Sequence, residues 1–175
     1  MGKLLKTGWY VLYVRSRHER KVDDLLKENQ LESFLPMITT IRRWSDRRKM
    51  IKLPLFPSYV FVKINSSMDF HKAVSIEGAC TFIKFGNEYA RVSEEEILKI
   101  KLCIGSDELS DIKTSGKLLR VGENKVINSG SLSGLECEIL KINNANKIIV
   151  RINSLQQNII ASIPSYHLVS LGNIA

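Results

Sequence analysis

Leu53-Pro54-Leu55-Phe56-Pro57-Ser58-Tyr59-Val60-Phe61-Val62-Lys63-Ile64, LPLFPSYVFVKI in one-letter code, sets two prolines ahead of a strand-like run that is apolar on both faces. Successive side chains of a strand point to opposite sides, so Val60, Val62 and Ile64 share one face and Tyr59 and Phe61 the other. A small soluble protein usually needs one such face for its core. The aromatic face therefore calls for a cover, either a helix of the same chain or the surface of a partner. Pro54 and Pro57 cannot donate to a ladder and fit the start of a strand at the margin of a groove.

Working outward, Trp9-Tyr10-Val11-Leu12-Tyr13-Val14 has the β-branched and aromatic content of a strand. Val22, Leu25 and Leu26 recur at helical spacing and predict a helix over about 17–29. A second strand is expected over 34–41, then a polar loop over 42–49, with 50–53 able to pair. Ser66 or Ser67 can cap a short helix with Phe70 and Val74 on its inner side, and a strand follows Gly78. Ser93-Glu94-Glu95-Glu96 is a capping box, opening a helix that carries Ile97, Ile100 and Ile104 and stops at Gly105. This order is the split βαβ, ferredoxin-like pattern, an antiparallel sheet covered by helices. Residues 106–118 are polar and read as a linker. Beyond them come five short strands, over 124–128, 130–134, 136–142, 147–152 and 159–163, with a hairpin turn at Asn143-Asn144-Ala145-Asn146. That texture predicts a small barrel of SH3 type and an α+β chain of two domains, 8–105 and 119–172.

Charge is unevenly placed. The 175 residues carry 26 Lys and Arg against 18 Asp and Glu, a net of +8. Residues 1–63 hold 14 basic and 6 acidic side chains, and the remainder hold 12 of each. The whole excess lies in the first third and implies an anionic partner for one surface. It concentrates in two clusters. Arg15, Arg17, His18, Arg20 and Lys21 fall at the end of the first strand and the start of the helix, where backbone N–H groups also attract phosphate. Arg42, Arg43, Arg47, Arg48 and Lys49 surround Trp44, a combination able to contact phosphates and stack on a base.

Other classes find little support. No apolar run is long enough to cross a bilayer, and the N-terminus lacks the features of a secretory signal, so a cytoplasmic chain with no membrane partner is expected. Cys80, Cys103 and Cys137 are odd in number and far apart, and the histidines are scattered, which fits neither a disulfide framework nor a zinc site. No nucleophile elbow, phosphate loop or metalloprotease motif is present; no enzyme activity and no cofactor are expected.

Trp9-Tyr10-Val11-Leu12-Tyr13, the basic helix start, Phe34-Leu35-Pro36 and above all Pro54-Leu55-Phe56-Pro57-Ser58-Tyr59-Val60-Phe61-Val62 resemble the N-terminal (NGN) domain of the NusG family. Thr81-Phe82-Ile83-Lys84-Phe85-Gly86 fits the same pattern, and residues 120–140 resemble a KOW motif, with Cys137 where that motif usually has glycine. The 42–49 cluster and Phe85-Gly86 resemble specialised paralogs, the UpxY group of capsular-polysaccharide antiterminators and RfaH. The resemblance implies a monomeric transcription elongation and antitermination factor that binds the clamp helices of bacterial RNA polymerase. It implies that Tyr13, Pro57, Tyr59 and Phe61 line the groove for those helices, and that Arg15 and Lys21 face upstream DNA or the non-template strand. The barrel is then a candidate contact for ribosomal protein S10 or Rho. An RNA-binding KOW module of translation is the alternative, weakened by the near-balanced charge of residues 106–175, 7 basic against 6 acidic.

Overall fold

From the N-terminus the chain runs β1 (Gly8–Val14), α1 (Glu19–Glu28), β2 (Ser33–Phe34), β3 (Met37–Arg43), β4 (Arg48–Pro54), β5 (Tyr59–Ile64), α2 (Ser67–Ser75), β6 (Ala79–Phe82), β7 (Lys84–Phe85), β8 (Glu88–Tyr89), β9 (Arg91–Val92) and α3 (Glu94–Gly105). It continues through β10 (Ser110–Ser115), β11 (Glu123–Val126), β12 (Glu136–Ile142), β13 (Ala145–Ile152) and β14 (Gln157–Ser162). This computed structural model describes residues 6–117, 122–128, 130–142, 145–164 and 166. The chain divides into two compact units, 1–94 and 95–175.

In the first unit the sheet order is β2-β5-β1-β6, with β9 also pairing to β1. β5 lies between β2 and β1 and is antiparallel to both, which is the split βαβ arrangement expected from the sequence. The alternation read in LPLFPSYVFVKI holds. Val60, Val62 and Ile64 join Tyr10, Leu12 and Val14 of β1 in one core cluster with Val22 and Leu26 of α1 and Ala73 of α2. Each fully buried aliphatic side chain there contributes about 1.5–3 kcal/mol. Val22 and Leu26 sit one helical turn apart, which turns that stripe of α1 onto the sheet. The helix complements its dipole with Glu19 in the first turn and Lys27 in the last. In α2 the Ser66 hydroxyl accepts the Asp69 N–H at 3.1 Å, and the Asp69 carboxylate accepts the Ser66 N–H at 3.0 Å, a capping box. Gly78 has a φ of +95°, and a Cβ there would stand 3.0 Å from Val22 Cγ2. Its carbonyl accepts the Arg15 N–H at 2.9 Å, so this glycine lets the chain before β6 close against the start of α1.

The segment expected as a loop over 42–49 is different. Arg42 and Arg43 complete β3, Arg48 and Lys49 begin β4, and only Trp44 to Arg47 turn. β3 and β4 form a separate two-stranded ribbon, its turn closed by the Trp44 N–H on the Arg47 carbonyl at 2.8 Å. A run of cations hides strand alternation from a hydrophobicity pattern, but does not prevent the backbone from pairing.

The second unit holds a five-stranded antiparallel sheet in the order β10-β14-β13-β12-β11. Ile127, Leu132, Leu135, Ile148, Val150, Ile152, Ile159 and Ile163 are buried. β12 spans the expected residues, and the Gly130 to Gly134 segment forms a short 3₁₀ turn instead of a strand. Of the expected Asn143–Asn146 turn, residues 143 and 144 lie outside the described residues, and Ala145 and Asn146 already belong to β13. Residues 119–121 and 167–172 of the expected barrel also lie outside them. Two findings differ from the sequence reading. Residues 110–115, read as linker, are an edge strand on β14; Ser, Asp and Lys on its open side mask the alternation of Ile112 and Thr114. The helix α3, beyond its first residue, belongs to the second unit: Lys99 bridges Glu95 at 2.9 Å and Glu136 at 3.1 Å, and the Glu96 carboxylate accepts the Ser154 N–H at 3.0 Å. Its inward face is Ile97, Ile100 and Cys103, with Ile104 half-buried.

One ionic lock crosses this sheet. Arg151 grips Glu138 through two N–H groups, Nε to Oε1 at 2.5 Å and Nη2 to Oε2 at 2.9 Å, and Glu138 also accepts the Gly122 N–H at 3.2 Å. Glu138 is 8% exposed, and the Arg151 hydrogen bonds hold its carboxyl below the ordinary 4.5 against the opposing effect of burial. A depressed folded-state value means that this stabilisation is complete above the ordinary carboxylate range and is lost as pH falls through the lower one. Glu138→Gln is therefore expected to lower stability by about 2 kcal/mol at pH 7 and to flatten the acid limb of the stability profile. Urea unfolding between pH 7 and pH 3 checks both; an unchanged acid limb contradicts the assignment.

Candidate functional site

β1 and β5 pair in a register that sets Tyr13 opposite Tyr59 and Val11 opposite Phe61. Opposed residues share a face, so the aromatic side of LPLFPSYVFVKI meets that of β1. The Tyr13 and Tyr59 rings stand 6.3 Å apart edge to face; Tyr13 is 42% exposed and Tyr59 half-buried. Pro57 is exposed beside them in sequence. Phe61 differs. It is fully buried, with ring centroids 5.9 Å from Phe34 and 5.8 Å from Phe56. Its expected place as surface of the groove is corrected: β5 is an interior strand, and Leu55 and Phe56, both buried, fold back with the loop before it. Phe61 packs inward on Phe34 and Phe56, on the same side of β5 as Tyr59.

The loop is fixed by contacts that no short sequence window contains. The Leu55 N–H donates to the Pro36 carbonyl at 2.8 Å, and the Val14 N–H to the Ser58 carbonyl at 2.9 Å. The Ser58 N–H donates to the Glu19 carboxylate at 2.9 Å, and Ser58 has a φ of +64°. Glu19, buried in the first turn of α1, thus clips the loop to the helix start. A carboxylate in a basic stretch gave no hint of this role.

Around that clip lies the first basic cluster. Arg15, Arg17 and Arg20 are exposed, and Arg17 turns the chain with a φ of +65°. His18 is half-buried, with Nδ1 3.2 Å from the Ser16 carbonyl. Lys21 is engaged, its Nζ 2.7 Å from Glu77. That hydrogen bond, then the charge of Lys21 and more weakly those of His18 and Arg15, hold the Glu77 carboxyl below its ordinary value. Glu77 lies 56 positions from Lys21, so the sequence counted as free a cation that has a partner. Arg15, Arg17 and Arg20 are the exposed cations here, and none of them forms an ion pair with another described residue.

The second cluster is the tip of the β3–β4 ribbon, where residues 41–50 are all exposed. Register places Arg42 opposite Lys49 and Arg43 opposite Arg48. Like charges directly opposed on one face destabilise a ribbon, on the order of 0.2–1 kcal/mol per pair. None of Arg42, Arg43, Arg47, Arg48 and Lys49 forms an ion pair with another described residue. Trp44 is 55% exposed at the turn, and an exposed apolar pair, Ile41 opposite Met50, lies just behind. The sequence pointed to the cations and the indole but not to Ile41 and Met50, which it placed only at strand ends.

No group of three or more potential metal ligands occurs among the described residues. Burial pushes the Cys103 thiol up to about 12 and the Cys137 thiol up to about 11, which keeps both as neutral thiols. Two apolar-and-basic surfaces thus stand out, suited to binding. Phe61→Ala is expected to cost about 3–5 kcal/mol and Tyr59→Ala a good deal less. Chemical denaturation of the two variants measures the difference; equal losses contradict the difference in burial between the two side chains.

Residues 7–101 match the family described as "Transcription termination factor nusG", over half of the chain. A solved structure on domain interaction in Thermotoga maritima NusG is 21% identical, covers 89% of this chain and 93% of its own, and superposes with a TM-score of 0.49. Two conformations of an MjSpt4:Spt5 complex are 10% identical over 89% of this chain, covering 93% and 99% of theirs, with TM-scores of 0.33 and 0.34. No helix among the described residues is long and apolar enough to cross a membrane.

Proposed function

The chain belongs to the NusG family, and on that premise we propose that it is a non-enzymatic transcription elongation and antitermination factor that docks on bacterial RNA polymerase through Tyr13, Pro57 and Tyr59. The observation that carries this reading is the Tyr13–Tyr59 pair, edge to face at 6.3 Å with Tyr13 exposed and Tyr59 half-buried, next to a loop that the Ser58 N–H holds to the Glu19 carboxylate. Tyrosines are frequent anchors of protein interfaces because they bury a large, rigid area with little entropy loss. Tyr59 already packs against Tyr13, so a helical partner of the clamp-helix kind meets a pair with little left to organise. Arg15, Arg17 and Arg20 then lie beside the docked face and contact upstream DNA or the non-template strand, raising the association rate and adding salt dependence. Lys21 contributes less than the sequence suggested, since Glu77 offsets its charge.

The finer reading is of a specialised paralog of the UpxY or RfaH kind, serving operons such as those for surface polysaccharides. The cationic ribbon and Phe85-Gly86, with Phe85 42% exposed, support it. The second unit is the candidate contact for ribosomal protein S10 or Rho.

The experiment is binding of the purified chain to core RNA polymerase. Tyr13→Ala with Tyr59→Ala is expected to weaken binding at least tenfold, about 1.4 kcal/mol, with the fold retained. Normal binding by the folded double variant overturns the assignment. Arg15→Ala with Arg20→Ala is expected to reduce crosslinking to DNA in an elongation complex and to spare polymerase binding; unchanged crosslinking removes these residues from the DNA contact.

A further inference from the structure

We propose that the tip of the β3–β4 ribbon is a binding site for single-stranded nucleic acid, in which Trp44 stacks on an unpaired base and the opposed cation pairs grip the flanking phosphates. Among the described residues the two strands of the ribbon pair only with each other, and residues 41–50 are exposed throughout. Charge complementarity identifies an anion: Arg42 faces Lys49, Arg43 faces Arg48, and no described carboxylate pairs with any of them. Two opposed pairs of like charge are repulsive in the free protein and relieved when phosphates lie between them.

Charge alone leaves the kind of nucleic acid open, and the apolar groups decide it. Trp44, 55% exposed, sits past the last cation pair on the turn between the strands. An indole there finds no open base face on an intact duplex, where bases are stacked within the helix, whereas a single strand offers one at every nucleotide. Ile41 and Met50, 62% and 69% exposed, lie opposite each other two residues behind Arg43 and Arg48 and so share their face. This apolar step behind a cation pair suits base and sugar surface better than a continuous phosphate backbone. DNA and RNA strands present the same chemistry, and experiment separates them.

The chain contains two tryptophans, and Trp9 is only 3% exposed. Quenching of intrinsic fluorescence by added oligonucleotide therefore reports on Trp44. Titrations of the full chain, without polymerase, with a mixed-sequence single-stranded DNA, the matching RNA and the blunt duplex are expected to show quenching and tighter binding for at least one single strand. Trp44→Ala is expected to weaken anisotropy-measured binding roughly tenfold or more, and Trp44→Phe to retain most of it. Arg43→Gln with Arg48→Gln is expected to make the logarithmic salt slope shallower by about 1.4, two contacts at roughly 0.7 each. Which strand binds tells DNA from RNA. Failure of both strands, a preference for the duplex, or full binding by a folded Trp44→Ala chain overturns the proposal. None of these outcomes depends on Tyr13 or Tyr59, so the polymerase reading stands or falls separately.

Discussion

The pairing of β1 with β5 is the constraint on which the first unit depends. Its register, from Gly8 opposite Ile64 to Tyr13 opposite Tyr59, assigns every side chain of both strands to a face. A slip by one residue would send Val60, Val62 and Ile64 away from α1 and α2 and bring Tyr59 and Phe61 under them. The apolar set buried with the helices fixes the register, and the register delivers the tyrosines to the surface. The Tyr13–Tyr59 pair and the core are therefore consequences of a single alternation.

The same economy governs charge. The excess of cations in the first third is not spread evenly over free side chains: Lys21 is held by Glu77, while Lys63 reaches Glu32 at 3.7 Å and Glu94 at 3.2 Å. Among the described residues of that third, Arg15, Arg17 and Arg20 beside the clip and the cations at the ribbon tip form no ion pair. Cations left without counterions, in one case opposed to each other across a ribbon, are costly to the free fold and useful to a complex with a polyanion. The second unit, near neutral in charge, spends its main ion pair internally, between Glu138 and Arg151.

The legible parts of the sequence were those in which local pattern and tertiary burial agree. The Val60, Val62 and Ile64 face of LPLFPSYVFVKI and the Val22 and Leu26 face of α1 declare themselves by period. The illegible parts have specific causes. Strand pairing at Arg42, Arg43, Arg48 and Lys49 is concealed because every side chain there is polar and exposed, so no alternation exists to be read. The edge strand at 110–115 is concealed by the polar residues that keep such an edge from pairing with another chain. α3 shows a helix in its sequence but not the unit against which its apolar face rests. At the candidate site, Tyr13, Pro57 and Tyr59 were named from sequence, whereas the burial of Phe61, the Glu19 clip and the Lys21–Glu77 pair depend on residues brought together over 27 to 56 positions.

The central claim is that the partner covers the tyrosine edge and not another face of the first unit. Hydrogen–deuterium exchange of the full chain, alone and with core RNA polymerase, tests it most directly. The account predicts that added protection concentrates in peptides covering the end of β1 and the 55–61 segment. Protection absent there, and found instead on the outer faces of α1 and α2, would contradict it.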